Sequence, residues 1–187
     1  MFKTTGYRAI ALFIALDVII IDQLTKWGIT EMLLRPHRTG DAGFDLIKWF
    51  TETPPRLEYT EIQILPFFNL VMVWNQGVSF GMFNGGQAGS AVFLILLSLG
   101  VSLIFLIWLL RSTSKMQAFC LALVIGGAIG NVIDRARFGA VIDFLDFHVM
   151  GRHWPAFNVA DSAIVIGVIL LMIHSLFLDN KPQKRVD

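Results

Sequence analysis

The side chains best suited to chemistry are four aspartates that lie between two apolar runs in the C-terminal half of the chain. They are Asp134, Asp143, Asp146 and Asp161. An ionisable group at membrane depth costs about 2.5 to 3.5 kcal/mol at the centre of a helix, so it is a functional candidate by default. Apolar residues flank two of the four, in VIDF (141–144) and FNVAD (157–161). We therefore take Asp143 and Asp161 as the candidate catalytic residues.

Asp143 and Asp161 are 18 residues apart, and a link of that length can fold back and bring the two carboxyls together. Two carboxyls in a partly desolvated site do not both ionise easily, so they share one proton and can act as acid and base on one water molecule. Their titration then belongs to the pair. The competing interpretation makes Asp161 the N-cap of the helix that follows it.

The other two aspartates have structural interpretations that we favour. Asp134 has a neighbouring partner in Arg135 or Arg137 and can form a surface ion pair with either. Asp146 lies one helical turn beyond Asp143 and can face water.

Other catalytic arrangements have weak support. The four histidines include no pair with the spacing of a helical zinc site, and Cys120 and Ser98 lie in apolar runs with no nearby His or Lys. His148 and His153 are the remaining candidates for a metal pair, although interfacial histidine is more often amphipathic surface. We expect no metal site and no cofactor. The small residues Gly126, Gly127 and Gly130 predict close helix packing rather than phosphate binding.

The composition indicates a membrane protein. Hydrophobic residues make up 55% of the 187 positions and charged residues 16%, against about 25% charged in an ordinary soluble domain. The formal net charge of +1 gives no basic footprint for nucleic acid, so we expect no nucleic-acid partner.

Four apolar runs predict a mainly α-helical membrane fold with four transmembrane helices, at about 9–29, 88–110, 116–134 and 162–178. The run at 88–110 has 23 uncharged positions, about 35 Å as a helix. The first run contains Asp17, Asp22 and Lys26, so it is either a span with functional polar groups or a signal-like segment. The second choice is weaker because no small-residue cleavage site follows the run.

Basic residues set the expected orientation. Four spans place the N-terminal segment, the connection between the second and third spans, and the C-terminal segment on the same side of the membrane. These three short segments contain seven basic residues: Lys3, Arg8, Arg111, Lys115, Lys181, Lys184 and Arg185. By the positive-inside rule both termini are cytoplasmic, and the connections at about 30–87 and 135–161 are extracytoplasmic.

The long connections hold the remaining elements. The β-leaning run 67–74 predicts a small extracytoplasmic β element on the membrane surface, followed by a glycine-rich turn in which Phe80, Met82 and Phe83 dip into the interface. No internal repeat divides the chain, so we treat 1–187 as one domain.

Five ordered motifs resemble those of the lipoprotein signal peptidases, or signal peptidase II, the membrane aspartyl proteases of bacteria. The resemblance runs from about Ile20 to about Gly167 and consists of these segments: DQLTK (22–26), NQGVSF (75–80), GGAIGNVIDR (126–135), VIDF (141–144) and FNVAD (157–161). Together the five are highly specific, although any one alone is not.

The resemblance implies a role for each matching residue. Asp143 and Asp161 match the catalytic dyad. Residues that match polar positions lining the site or holding substrate are Asn75, Asn131, Arg135 and Asn158. Asp22, Lys26 and Asp134 match site-supporting positions, and the i, i+4 spacing of Asp22 and Lys26 lets them neutralise each other on one helix face.

The resemblance also implies the reaction and its partners. The family removes signal peptides from prolipoproteins whose cysteine already carries diacylglyceryl, and cuts on the amino side of that cysteine. It implies the bacterial inner membrane, an active site near the extracytoplasmic face, membrane lipid as a partner and binding of the family inhibitor globomycin at the dyad. We expect a monomer.

Two departures from the family pattern stand out. Residues 40–55 lengthen the first connection, and we interpret them as a surface excursion with an amphipathic piece that rests in the headgroup region. Asp17 stands where the family has an apolar residue, which indicates a wet or paired spot in the first helix.

Two rival functions belong to other classes. A small transporter or channel would use the acids as an ion relay and would distribute them through the depth of several spans. Four of the six candidate acids lie instead at one boundary, which favours the protease. A scaffold or lipid-binding protein is the third possibility, and cleavage activity distinguishes it.

Overall fold

The structure, a computed structural model, describes residues 3–77 and 86–177. Its helical elements are α1 (Lys3–Trp27), which continues as π-helical turns (Gly28–Leu34), α2 (Arg35–Thr39), α3 (Leu46–Thr51), α4 (Gly86–Arg111), α5 (Lys115–Phe138) and α6 (Val159–Phe177). The turn segment with Phe80, Met82 and Phe83 lies outside the described residues, and so do Leu178, Lys181, Lys184 and Arg185.

Three of the helices are long and apolar enough to cross a membrane. They are Gly89–Arg111, Lys115–Phe138 and Val159–Leu176, within α4, α5 and α6. Their positions confirm three of the four predicted spans.

Helix α1 is 25 residues long and packs against α5 and α6. Its charged residues Asp22 and Lys26 are fully buried, whereas the side chains that it exposes include Phe13, Ile20 and Leu24. An apolar outer face with buried charges is what a helix in contact with hydrocarbon requires. Asp17 is the exception, because it is exposed and makes no ion pair with any described residue.

Small residues bring α5 into close contact with its neighbours. A Cβ atom at Gly126 would lie 2.6 Å from the Ala15 carbonyl oxygen of α1, and one at Gly127 would lie 2.3 Å from the Ala160 carbonyl oxygen of α6. Both distances are too short for a real Cβ contact, so glycine is required at each position. The predicted packing role of these glycines is correct.

Four antiparallel strands form one sheet in the order β1-β2-β3-β4. They are β1 (Glu61–Leu65), β2 (Phe68–Asn75), β3 (Val141–Val149) and β4 (Arg152–His153). Strand β2 matches the predicted β-leaning run. The sequence did not predict β3, although β3 carries Asp143 and follows α5 directly.

The extra segment at 40–55 is not a purely surface excursion. Trp49 of α3 is 1% exposed and its ring centre lies 5.4 Å from that of Phe138. Glu31 accepts a hydrogen bond from the Phe44 backbone N–H at 2.9 Å, which ties the segment to the π-helical turns. The prediction fails because Trp49 fills a hydrophobic cluster shared with the sheet. The neighbouring Ile47 and Phe50 are exposed, as an amphipathic piece requires.

Candidate active site

Asp143 lies near the start of β3 and is 1% exposed. Its Oδ2 accepts a hydrogen bond from Asn75 Nδ2 at 2.9 Å, and its Oδ1 accepts one from Asn158 Nδ2 at 2.8 Å. Asn75 comes from the end of β2, which pairs with β3 so that Val73 lies opposite Asp143. Strand pairing therefore sets the carboxyl between two amide donors.

Asp161 lies in the first turn of α6 and is half-buried. Its Oδ1 accepts a hydrogen bond from Asn131 Nδ2 of α5 at 2.7 Å. The backbone N–H of Asp161 donates to Asn158 Oδ1 at 2.8 Å, so Asn158 caps the helix. The alternative that made Asp161 the N-cap is wrong, because Asp161 is the third helical residue and its carboxylate is free for other contacts.

Asn158 connects the two candidate residues. Its side-chain nitrogen contacts the Asp143 carboxylate while its side-chain oxygen accepts from the Asp161 backbone. The same nitrogen also lies 3.1 Å from the Ile142 carbonyl oxygen, and Asn158 is fully buried. One immobile amide thus fixes the strand that carries Asp143 relative to the helix that carries Asp161.

Lys26 is the centre of a buried charge cluster behind these residues. Its Nζ lies 2.7 Å from Asp22 Oδ2 and 2.6 Å from Asp134 Oδ2, and all three side chains are buried. It also donates to Asn131 Oδ1 at 3.4 Å. The predicted i, i+4 pair of Asp22 and Lys26 is therefore present, and Asn131 connects the cluster to Asp161.

Asp134 differs from its predicted role as a surface ion pair with Arg135 or Arg137. Its partner is Lys26 on another helix, and it also accepts hydrogen bonds from Gln23 Nε2 at 2.8 Å and from the Ile142 backbone N–H at 3.1 Å. The prediction fails because Arg135 and Arg137 form no ion pair with Asp134, whereas α1 packs alongside α5 and brings Lys26 to it. Gln23 is a polar residue that the sequence reasoning missed, and its place beside Asp22 within an apolar run is the signal that could have found it.

Asp22 also holds the start of α6. Its Oδ1 accepts a hydrogen bond from the Ala160 backbone N–H at 3.0 Å. The close approach depends on Gly130, where a Cβ atom would lie 2.7 Å from Asp22 Oδ2. The first turn of α6, with Asp161 in it, is therefore anchored to α1 as well as to α5.

Arg135 extends from α5 on the side of Asp161. Its Nε atom is buried and has no hydrogen-bond partner among the described residues. A Cβ atom added to Gly77 would lie 3.4 Å from Arg135 Nη2, so the chain after Asn75 passes close to the guanidinium. Gly77 has φ +81° and donates its N–H to Asn75 Oδ1 at 2.8 Å. Arg135 and Asn75 therefore border the same space.

The electrostatics of Asp143 suit an acid. Burial raises the pKa of this carboxyl to about 7, the hydrogen bond from Asn75 opposes the rise, and the charge of Asp161 adds to it. A carboxyl with that pKa is about half protonated at neutral pH and largely protonated below it. Asp143 can therefore hold the proton that a carboxyl pair shares.

Asp146 is not solvated as predicted. It is buried and accepts hydrogen bonds from Asn69 Nδ2 at 2.9 Å and from His153 Nδ1 at 2.9 Å. The prediction assumed helical spacing from Asp143, whereas both residues lie on β3 and Asp146 pairs opposite Asn69. His148 stacks on His153, with ring centres 4.7 Å apart, and no group of three or more metal-ligating side chains occurs among the described residues.

An apolar groove of about 370 Å³ begins at Asp161 and follows α6. Besides Asp161 it is lined by Trp154, Phe157, Ser162, Val165 and Ile166. A groove of this kind can receive a hydrocarbon chain or an apolar peptide and still present a carboxylate at one end.

Comparisons with known proteins point to one family. The family model described as signal peptidase (SPase) II matches residues 14–177. A lipoprotein signal peptidase of Paraburkholderia phymatum is 42% identical over 174 residues, which cover 91% of this chain and 90% of the relative. One from Janthinobacterium sp. (strain Marseille) is 39% identical over 87% of this chain and 86% of the relative.

A solved structure shares the fold. A bacterial membrane enzyme determined by the in meso method at 2.3 Å resolution superposes with a TM-score of 0.67 at 28% identity, covering 96% of this chain and 95% of that chain. The sequence relatives are about 40% identical and cover most of both chains. The chain belongs to the signal peptidase II family, a family of multi-pass bacterial membrane aspartic peptidases.

Proposed function

We propose that this enzyme removes the signal peptide from diacylglyceryl-modified prolipoproteins, cutting on the amino side of the lipidated cysteine, and that Asp143 and Asp161 activate the attacking water. The observation that carries the residue assignment is the arrangement around Asn158, whose one amide contacts Asp143 and caps the turn that carries Asp161. Acid-base hydrolysis at a membrane edge requires two carboxyls held in a fixed arrangement there, and the Asn158 side chain provides this by contacting both elements that carry them.

In the proposed mechanism the two carboxyls start in different protonation states. We assign the proton to Asp143, because burial raises its pKa to about 7, and the role of general base to Asp161. Asp161 takes a proton from water as the water oxygen attacks the scissile carbonyl carbon, and Asp143 donates its proton to the carbonyl oxygen. When the C–N bond breaks, the proton on Asp161 passes to the leaving amine and the proton returns to Asp143 from the new carboxyl group. No covalent enzyme intermediate forms.

Orientation of the substrate must supply the rest of the rate enhancement. General acid-base catalysis accounts for about 10² to 10⁴-fold, so the enzyme must also orient the peptide. Asn75 and Arg135 border the space in front of Asp143 and are suited to hold the peptide backbone. The groove along α6 would hold apolar substrate in the hydrocarbon layer, which places the scissile bond beside Asp161.

We further propose that the chain is one domain, acts as a monomer, and lies in the inner membrane with both termini cytoplasmic and the sheet outside. Globomycin would bind at the dyad. The buried cluster of Lys26, Asp22 and Asp134 would support the site through Asn131 and the first turn of α6.

Cleavage of a purified prolipoprotein tests the proposed function. The substrate is prepared with and without its diacylglyceryl group, and the products are identified by mass spectrometry. We expect a single cut before the lipidated cysteine, no cut in the unmodified substrate, and full activity in the presence of a chelator. Equal cleavage of both substrates would contradict the proposed specificity. Loss of activity with the chelator and recovery with zinc would direct attention to His148 and His153.

A further inference from the structure

A second apolar groove, of about 410 Å³, lies between α1 and α5. Its lining residues come from α1, α3 and α5: Ile19, Ile20, Gln23, Leu24, Phe50 and Ile133. None of them lines the groove that begins at Asp161. The two grooves are therefore separate, and the second one has no part in the proposed mechanism.

Two buried polar atoms at this groove have no hydrogen-bond partner among the described residues. Gln23 is 4% exposed, and while its Nε2 donates to Asp134, its Oε1 is unpaired. Arg137 is not a lining residue but lies beside the groove, one turn beyond Ile133 on α5, with its guanidinium carbon 5.5 Å from the centre of the Phe50 ring. Its Nη2 donates to the Trp49 and Glu52 carbonyl oxygens, while its Nη1 is unpaired. A buried polar group left unpaired costs about 1 to 3 kcal/mol. The groove therefore has an unpaired acceptor in its lining, and a guanidinium lies beside it near the end of α5 that leads into the sheet.

These groups specify the chemistry of an occupant. The apolar lining suits one hydrocarbon chain, and Ile20 and Leu24 are exposed on the face of α1 that hydrocarbon would contact. A phosphate group is a strong acceptor for a guanidinium N–H, and a headgroup hydroxyl can donate to the Gln23 oxygen. We propose that this groove binds a membrane glycerophospholipid with an anionic, hydroxyl-bearing headgroup, whose phosphate pairs with Arg137 while one acyl chain occupies the groove.

The occupant is a membrane phospholipid rather than the lipid of the substrate. A diacylglyceryl group attached to cysteine carries no phosphate, so it would leave Arg137 Nη1 unpaired. It is also joined to the residue beside the scissile bond, whereas this groove shares no lining residue with the one at Asp161. The inference does not depend on the catalytic assignment.

Photo-crosslinking tests the proposal on the full chain in lipid nanodiscs. The probes are phosphatidylglycerol and phosphatidylcholine, each with a diazirine in one acyl chain, and the crosslinked residues are mapped by mass spectrometry. Both lipids carry the phosphate, but phosphatidylcholine has no headgroup hydroxyl to donate to Gln23 Oε1, and its choline cation is repelled by Arg137. Since one lost contact of about 1.4 kcal/mol corresponds to tenfold in binding, we expect phosphatidylglycerol to label residues 19–24, 50 and 133 roughly tenfold more than phosphatidylcholine does. Labelling spread evenly over α1, α4 and α6 would overturn the site, and equal labelling by both lipids would overturn the headgroup assignment.

Two substitutions test the contributions of the apolar groove and of the Arg137 charge separately. Ile133→Trp fills the groove and should abolish the labelling, while Ile104→Trp, at an exposed position of α4, should not change it. Arg137→Gln should remove the preference for phosphatidylglycerol, with Arg111→Gln on α4 as the matched control. Arg137 also packs on Trp49 and Phe138, so Arg137→Lys, which retains the charge, should keep the preference if the glutamine variant fails to fold.

Two further results would contradict the proposal. One is unchanged labelling in Ile133→Trp, because the chain would then bind elsewhere. The other is displacement of the bound phospholipid by a diacylglyceryl-modified peptide, because the occupant would then be the substrate.

Discussion

At the scale of single residues, the site depends on side chains that contact two elements at once. Asn158 contacts Asp143 on β3 and caps α6, and Lys26 on α1 pairs with Asp134 on α5. Removing one partner of such a buried pair leaves an uncompensated group, which costs about 3 to 5 kcal/mol for a charge. These residues therefore connect the stability of the fold to the geometry of the proposed site.

The pKa of Asp143 leads to a prediction about pH. Because burial raises that pKa to about 7 and the proposed mechanism uses the protonated form, kcat/KM should fall as the pH rises through about 7. The hydrogen bond from Asn75 lowers the same pKa, so Asn75→Ala should raise it and move the alkaline limb to higher pH. The pH profile of kcat/KM with a lipopeptide substrate measures both effects.

The control for this prediction is Asn69→Ala on the same strand. Asn69 donates to Asp146 rather than to Asp143, so its loss should leave the alkaline limb in place. A limb that moves to lower pH in Asn75→Ala would contradict the assignment of Asp143 as the proton donor.

At the scale of elements, the sequence predicts features that depend on neighbouring residues. The apolar runs, the β-leaning run at 67–74 and the packing role of Gly126, Gly127 and Gly130 all follow from local composition. The i, i+4 pair of Asp22 and Lys26 is local too. The features that the sequence could not predict arise from contacts between residues that are far apart in the chain.

Three misses share that cause. Strand β3 forms by pairing with β2, which lies before α4, so its partner is far from residue 141 in the chain. Asp134 pairs with Lys26 of α1 instead of a nearby arginine because helix packing brings α1 alongside α5. Trp49 is buried because α3 packs on Phe138 at the end of α5.

Contact between α5 and α6 gives a prediction at this scale. In Gly127→Ala the new Cβ would lie 2.3 Å from the Ala160 carbonyl oxygen, so the start of α6 must shift and carry Asp161 with it. We expect a stability loss of about 1 to 3 kcal/mol, the usual cost of overpacking, and lower kcat. Thermal unfolding in detergent and a cleavage assay measure the two effects.

Gly100→Ala on α4 is the matched control, because a Cβ there meets nothing within 4 Å. It should leave unfolding and cleavage close to wild type. Equal effects of the two substitutions would mean that helix propensity, rather than the contact with α6, decides the result.

At the scale of the whole molecule, the sheet and the polar site lie at one end of a helix bundle and the α4–α5 turn lies at the other. Lys115 begins α5 and Arg111 ends α4, so both lie at the turn, while Arg152 lies on β4. The positive-inside rule then assigns the turn to the cytoplasm.

Cysteine labelling tests this orientation. A membrane-impermeant thiol reagent applied to intact cells should label Glu52→Cys and Arg152→Cys but not Lys115→Cys, which should react only after the membrane is opened. All three native side chains are exposed, and the native Cys120 is buried and so gives little background. Labelling of position 115 in intact cells would reverse the proposed orientation.

The central claim is that Asp143 and Asp161 together perform the hydrolysis, and cleavage by single-residue variants measures it most directly. Asp143→Asn and Asp161→Asn keep the size of each side chain but remove its ability to exchange a proton. Cleavage of a lipid-modified prolipoprotein should fall at least about 10²-fold in each, while Asp17→Asn, a change at an exposed carboxylate of α1, should cleave at the wild-type rate. Substantial cleavage by either dyad variant, with thermal unfolding like that of wild type, would contradict the account.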